Sequence, residues 1–267
     1  MERSGGRRRA RIVVLGTGNV ASHLIPALAA ENDVLQVWTR TRGKRVSLPG
    51  PLSEIPVIYD QADIVPDADF YIIAVSDDAI APVAEMLANS GAQGIVAHTS
   101  GSFPLERLRE IFPTGKSGVF YPLQTFSKDV AVDISKVPFF IEGSDTYTAD
   151  CLVELAKTVS TDVKLADSEV RGHLHVAAVF ANNFVNYMWD VADSYLKEKV
   201  DLDIKIFAPL LQETLHKAIE NGPRHSQTGP AVRGDKKVIE AHLAKLNEED
   251  ATVYRMLTDL ITKKHES

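Results

Sequence analysis

The chain has 267 residues, enough for one large domain or two of ordinary size. Hydrophobic residues make up 45% and charged residues 24%, as in an average globular protein, which excludes a disordered chain, a collagen-like chain and a small disulfide-stapled scaffold. The net charge of −7 disfavours nucleic acid as a partner, because phosphates reward a basic surface.

Residues 1–11 hold Arg3, Arg7, Arg8, Arg9 and Arg11 against Glu2 alone, so this arm carries +4 and the rest −11. No aromatic or amphipathic pattern accompanies these arginines, so the arm is expected to be a solvated, frayed terminus, not a nucleic-acid or membrane hook. Strand and helix signals then alternate. Arg11–Leu15 is a β-branched run bounded by Gly16, and Asn19–Ala30 has helical spacing through Val20, Leu24, Ala27 and Leu28. Leu35–Thr39 and a weak Val57–Tyr59 follow as strands. Phe70–Val75 is apolar throughout, as a central parallel strand covered on both faces should be. Asp77 or Asp78 can cap the next helix, which runs to about Asn89. Gly94–Ala97 reads as a strand, Pro104–Ile111 as a helix, Gly118–Tyr121 and Val137–Ile141 as strands, Thr146–Val159 as a helix and Asp162–Leu165 as a last short strand. Cys151, the single cysteine, cannot form an intramolecular disulfide. Its apolar neighbours predict a buried helical thiol without a catalytic part.

The alternation predicts an α/β, doubly wound Rossmann-like sheet over residues 10–165, and strand signals stop there. An all-α domain is expected over 166–267. Asp167–Lys199 reads as one long helix, followed by helices at Ile204–Glu220, Arg233–Leu246 and Glu248–Lys264, with the Gly- and Pro-rich loop Asn221–Ala231 as the strong break. The longest apolar runs, such as Phe70–Val75 and Val176–Ala181, are six residues, far short of the ~18 a membrane span needs, so a soluble, cytoplasmic protein without a membrane partner is expected.

The first strand leads directly into Gly16-Thr17-Gly18-Asn19-Val20-Ala21, a G-x-G-x-x-A fingerprint. Gly16 permits the tight turn, Gly18 lets a pyrophosphate approach the backbone, and small Ala21 lets the helix sit close to the strand. The helix N-terminus offers free N–H groups to the phosphates. A strand before it, a helix after it and a second strand at the right distance make the match specific. An NAD-binding chain usually carries an acid near the end of that second strand to hold the ribose 2′-hydroxyl. Between Asp33 and Glu54 this chain has none; it has Thr39, Arg40, Thr41 and Arg42, then Lys44 and Arg45. A 2′-phosphate suits guanidinium and hydroxyl groups, so NADP is the predicted cofactor, with Arg40 the main contact.

Val75, Ser76 and Asp77 stand at the end of one central strand, and His98-Thr99-Ser100-Gly101-Ser102 at the end of another. Ligands bind outside the carboxyl ends of such strands, so His98 and Ser100 are candidates for the cofactor and Ser100 and Gly101 for the substrate. Equally, Ser100 and Ser102 could only cap the helix that follows. At 100° per residue, His175, Asn183 and Asn186 share one sector of the long helix. They form either a solvated stripe continued by Arg171, Asn182 and Asp190, or the wall of a cleft with His175 as general acid and Asn183 as orienting amide. Thr228 and Arg233 could hold an anionic substrate, with Asp235 steadying Arg233, or could belong to a plain turn. No metal site is indicated.

Taken together, G-T-G-N-V-A, A-V-S-D-D-A-I at 74–80, H-T-S-G-S at 98–102, Y-P-L-Q-T-F-S at 121–127, L-H-V-A-A-V-F-A-N-N-F at 174–184 and T-G-P-A-V-R-G-D at 228–235 resemble a bacterial NADP oxidoreductase family. Its members join an NADP-binding Rossmann-like domain to a helical C-terminal domain of unassigned function. The layout is more distantly similar to pyrroline-carboxylate reductase, the deazaflavin-dependent NADP oxidoreductases and the hydroxyisobutyrate and phosphogluconate dehydrogenases. The resemblance implies an NADP-dependent oxidoreductase that moves hydride to or from a small carbonyl or imine substrate. The alternative is a non-catalytic NADP-binding sensor. It also implies a homodimer built through the helical domain, in keeping with a long helix that is apolar over most of its circumference. Two departures limit the transfer. The catalytic Lys of the hydroxyacid dehydrogenases has no counterpart, since Val179 and Ala178 stand four residues before Asn183 and Asn182. Tyr121 stands where relatives often have His.

Overall fold

The computed structural model describes residues 8–42, 50–113 and 115–266. Its contacts divide into two compact units, Met1–Phe180 and Ala181–Ser267.

The first unit is built on one eight-stranded sheet in the order β3-β2-β1-β4-β5-β6-β7-β8. The strands are β1 (Arg11–Leu15), β2 (Asp33–Trp38), β3 (Val57–Ile58), β4 (Phe70–Ile73), β5 (Ile95–His98), β6 (Ser117–Pro122), β7 (Phe139–Gly143) and β8 (Val163–Leu165). All neighbours run parallel except β6 and β7. The order reverses between β1 and β4, the topological switch point at which such sheets open a crevice. The expected doubly wound α/β sheet is therefore what forms, with strand ends moved by one or two residues.

Alternating side chains put two cores on the sheet's two faces. Ile12 and Val14 of β1 and Ile72 of β4 pack under α1 (Asn19–Glu31) and, farther along, α4 (Thr146–Ala156), through Leu24, Ile25, Leu28, Leu152 and Leu155. Val13, Leu15, Tyr71 and Ile73 pack under α2 (Asp77–Asn89) and α3 (Leu105–Ile111), through Ile80, Leu87 and Leu108. Cys151 is half-buried on α4, because it faces the rim of the helix where Leu152 faces the core. Ser76, not Asp77 or Asp78, is the N-cap residue of α2, without a side-chain bond.

Of the arginine-rich arm, Arg3 and Arg7, like Lys44 and Arg45, lie outside the described residues. The described part is tied down. Arg9 Nε lies 2.7 Å from Asp33, and Arg9 Nη2 donates to Ala29 O at 3.0 Å and Asn32 O at 2.5 Å, capping the end of α1. Arg11 pairs with Asp67 at 2.8 Å and Arg8 with Asp69 at 3.4 Å.

The first unit continues past the last strand, since α5 (Ser168–Ala178) is anchored to the sheet. Arg171, which one of the two readings of the long helix puts on a solvated stripe, is 1% exposed and pairs with Glu142 of β7, while its Nη2 donates to Phe103 O at 2.7 Å. The long helix is also not regular. A π-helical segment, Val179–Phe184, separates α5 from α6 (Val185–Val200). Each π turn inserts a residue, so side chains beyond it are rotated by about 100° from where an even α-helix puts them.

The second unit contains α6, α7 (Ala208–Asn221), two single turns α8 (Pro223–Ser226) and α9 (Pro230–Arg233), α10 (Lys236–Leu243) and α11 (Glu248–Glu266). The loop expected over Asn221–Ala231 thus contains α8 and the start of α9, each with Pro at its first position. Among the described residues of this unit only Ala231 and Ala251 are fully buried apolar side chains. No helix among the described residues is long and apolar enough to cross a membrane.

Candidate functional site

A cleft of about 540 Å³ lies at the carboxyl ends of β1, β2 and β4. Its floor is the fingerprint turn. Gly16 adopts φ +125°, open to glycine and strained for other residues, and a Cβ there would lie 2.1 Å from Ala74 O. Gly16 N donates to Trp38 O at 2.8 Å, so the turn is locked to the end of β2. In front of Gly18 the space is open: nothing lies within 4 Å of where a Cβ would be. No side chain caps α1, and its first turn holds no acid. The helix end therefore presents unsatisfied amides and a positive dipole to the cleft. An anionic dinucleotide fits these residues.

Of the cofactor candidates, Gly16, Thr17, Gly18, Asn19, Val20, Thr39, Arg40, Thr41, Val75 and Ser76 line this cleft. Thr39 is buried, its hydroxyl 3.3 Å from that of Thr17. Arg40 is exposed and forms no ion pair with another described residue. Arg42 points elsewhere, 3.8 Å from Asp60. Trp38, Ala74, Ala79, Pro82, Val83 and Met86 complete the wall and give it an apolar side suited to an adenine ring. Sequence patterning could not separate these from core, because strand-end and helix-face apolar residues look alike until the crevice is placed.

Asp77, His98 and Ser100 do not line the cleft. Asp77 takes a short hydrogen bond from the Ser102 hydroxyl. The Ser100 hydroxyl accepts from Ser102 N at 3.1 Å and Phe103 N at 3.0 Å, which closes the loop after β5. Neither serine caps α3; Leu105 N there donates to the Ser168 hydroxyl at 3.1 Å. The His98 ring is fully buried, with Nδ1 accepting from Ser100 N at 3.2 Å and Nε2 unpartnered. Burial, assisted by the positive charge of Arg171, pushes its pKa down to about 3, so His98 is neutral.

His175 is half-buried on α5, its Nδ1 3.2 Å from the Tyr121 hydroxyl. Gly101 lies against both rings. In the second unit, Asn183 lies in the π segment, a feature that recurs at functional sites, and Asn186 on α6; both are exposed. Because Val179–Phe184 is π-helical, the even 100° spacing assumed for the long helix does not hold through it. Thr228 lines a groove of about 270 Å³ with Met188, Pro230, Tyr254 and Leu257. Arg233 is exposed at the end of α9. Asp235 does not steady it: its carboxylate caps α10 by accepting from Val238 N at 3.3 Å. Among the described residues no cluster of His, Cys, Asp and Glu could hold a metal ion.

Residues 11–101 match the family described as NADP oxidoreductase, coenzyme F420-dependent, and residues 137–261 match a domain of unknown function, DUF2520. A protein of Bacteroides fragilis, named a putative NADP oxidoreductase, is 38% identical, with 96% of this chain and 98% of that one covered and a TM-score of 0.86. The fold is shared with an imine reductase from Myxococcus stipitatus in complex with NADP+ (16% identity, 95% and 92% covered, TM-score 0.60). It is shared also with a pyrroline-5-carboxylate reductase from Coxiella burnetii (15% identity, 96% and 99% covered, TM-score 0.57). A search of the curated proteins finds no match. With its fingerprint cleft, its helical second unit and a relative matched over nearly its whole length, the chain belongs to the pyridine-nucleotide-dependent oxidoreductase family that joins a Rossmann-like N-terminal domain to a helical DUF2520 domain.

Proposed function

We propose that the protein is an NADP(H)-dependent oxidoreductase acting on a small carbonyl or imine compound. The observation that carries this is the cleft over the fingerprint turn, with an uncapped helix end at its floor and Arg40 at its rim. The amides of Thr17 to Val20 hold the pyrophosphate, the apolar wall of Pro82, Val83 and Met86 takes the adenine, and Arg40, with Thr39 and Thr41, takes the 2′-phosphate. Bound NADPH supplies hydride to the substrate carbon. His175, or a water it holds, gives a proton to the substrate's oxygen or nitrogen. Ser100 and Gly101 are further substrate contacts. That an imine reductase in complex with NADP+ shares this fold supports the reading.

The test is a fluorescence titration with NADPH and NADH, followed by turnover against keto acids, aldehydes and cyclic imines. Arg40→Asp should weaken NADPH at least tenfold and NADH far less, since a charge-assisted pair contributes on the order of 1.5–3 kcal/mol. Equal losses would refute the phosphate assignment. Turnover should collapse in His175→Ala while NADPH still titrates. Tight titration without turnover on any substrate would favour the sensor reading.

A homodimer through the helical unit belongs to the same proposal. Ile219 is 70% and Leu215 63% exposed, and Leu210, Phe184, Met256 and Leu260 are exposed as well. Apolar area on this scale, in a unit with almost no core of its own, calls for a covering surface. Sedimentation at micromolar concentration should show a dimer, and Leu215→Glu with Ile219→Glu should dissociate it. A wild-type monomer would refute the assignment.

A further inference from the structure

We propose that Tyr121 is a positioning residue for His175: its hydroxyl holds the imidazole at Nδ1, leaving Nε2 as the nitrogen that exchanges a proton with substrate. This rests on the proposed role of His175. Tyr121 lies on β6 and His175 on α5, and the phenol oxygen meets Nδ1 at 3.2 Å. The rings stand edge to face, centroids 6.3 Å apart. No other described residue hydrogen-bonds either ring nitrogen of His175 or the Tyr121 hydroxyl.

Room for the pair comes from Gly101. A Cβ there would lie 2.7 Å from His175 Nδ1, 2.7 Å from Tyr121 Cζ and 2.9 Å from its hydroxyl oxygen. Both rings would have to move. The glycine in the loop after β5 is thus what allows the contact, and the loop itself is held by the Ser100 bonds to Ser102 N and Phe103 N. One helical turn before His175, on the same face of α5, Arg171 is held in its buried pair with Glu142.

The chemistry follows from which atom carries hydrogen. Burial raises the Tyr121 pKa and Asp77 adds to this, against a lowering by Arg171, so the phenol stays protonated near neutral pH. Among the described residues Nδ1 is the one acceptor in hydrogen-bond reach of it. A neutral His175 that accepts from the phenol must carry its own hydrogen on Nε2. In the imidazolium, Nδ1–H donates to the phenol oxygen and Nε2–H remains for substrate. When the imidazolium transfers the Nε2 proton to a substrate nitrogen or oxygen, the neutral ring left behind keeps its hydrogen on Nδ1, donated to the phenol oxygen; a solvent proton taken up at Nε2 restores the imidazolium, and the phenol gains and loses no charge.

The test uses the full chain labelled with 15N-histidine and two-bond 1H–15N correlation spectra, with the His175 signals assigned by their loss in His175→Gln. The wild type should show the Nε2–H tautomer at a pH where His175 is neutral. Tyr121→Phe and Gly101→Ala should each move the ring towards a mixture of tautomers. In turnover, Tyr121→Phe should lower kcat about tenfold and leave NADPH affinity within twofold. An Nδ1–H or mixed tautomer in the wild type, or a Tyr121→Phe spectrum and kcat identical to wild type, would overturn the proposal. Should Tyr121→Phe fail to fold, the wild-type spectrum decides alone. The spectra need neither nucleotide nor substrate, so a failure to bind NADPH would refute the functional reading and leave this pairing to stand or fall on its own.

Discussion

The guanidinium of Arg171 and the carboxylate of Glu142 form an ion pair beneath the surface, joining α5 to β7, with Phe103 O and the Ser168 hydroxyl as further acceptors of the same guanidinium. Removing one member of such a pair leaves a charge without water or partner and typically costs about 3–5 kcal/mol. Glu142→Ala should therefore lower the unfolding free energy by about that amount in urea titrations. The double variant Glu142→Leu with Arg171→Met should recover most of the loss. A single variant within about 1 kcal/mol of wild type would show that the pair is solvated.

His98 makes stability depend on acid. Its folded pKa, about 3, lies below the ordinary histidine value of 6.5. Below pH 6.5 the unfolded chain takes up a proton that the folded chain refuses until about pH 3. Its contribution is thus complete above pH 6.5 and is lost as pH falls from there towards 3. One pH unit is equivalent to ~1.4 kcal/mol for one group. Between pH 6.5 and 5.5 the wild type should lose about 1 kcal/mol more than His98→Asn, measured by urea unfolding. Parallel losses in the two proteins would contradict a neutral buried imidazole.

Gly16 and Gly18 should respond differently to the same methyl group. Gly16→Ala combines positive φ with a backbone clash at Ala74 O, so it should destabilise the fold by several kcal/mol, on the order of other severe backbone strain. Gly18→Ala has φ −76° and open space ahead, so its melting temperature should stay within a few degrees of wild type. Its NADPH affinity should nonetheless fall at least tenfold, because the methyl occupies the phosphate approach. Undiminished affinity would place the pyrophosphate elsewhere.

Arg9 caps the carbonyl end of α1 from outside the helix. Arg9→Ala should cost about 1 kcal/mol in thermal or urea unfolding, with part of the difference screened at high salt. No change would return this residue to the solvated arm that composition suggested.

Strand positions were legible because short β-branched or apolar runs such as Arg11–Leu15 and Phe70–Ile73, bounded by turn residues, favour strands over helices. The fingerprint turn was legible for a similar reason: two glycines and an alanine at fixed spacing have a geometric task that the Gly16 dihedral makes plain. Arg171 was not legible. A long charged side chain belongs in water unless a partner waits inside, and Glu142 is 29 positions away in the chain. Pro82 and Met86 were hidden by their resemblance to core. Tyr121 was visible only as a departure from a family pattern, since nothing local to residue 121 announces an imidazole 54 positions later.

The π segment at Val179–Phe184 bears on how residue roles are carried between homologues. A helix that holds a surplus residue shifts the angular phase of everything after it. A relative lacking that surplus would carry the same letters a quarter-turn or more away around the axis, and an ungapped alignment would not reveal it. The comparison of Val179 with a lysine four positions before Asn183 crosses this very stretch. Equivalences downstream of residue 179 therefore hold only between chains that share the insertion.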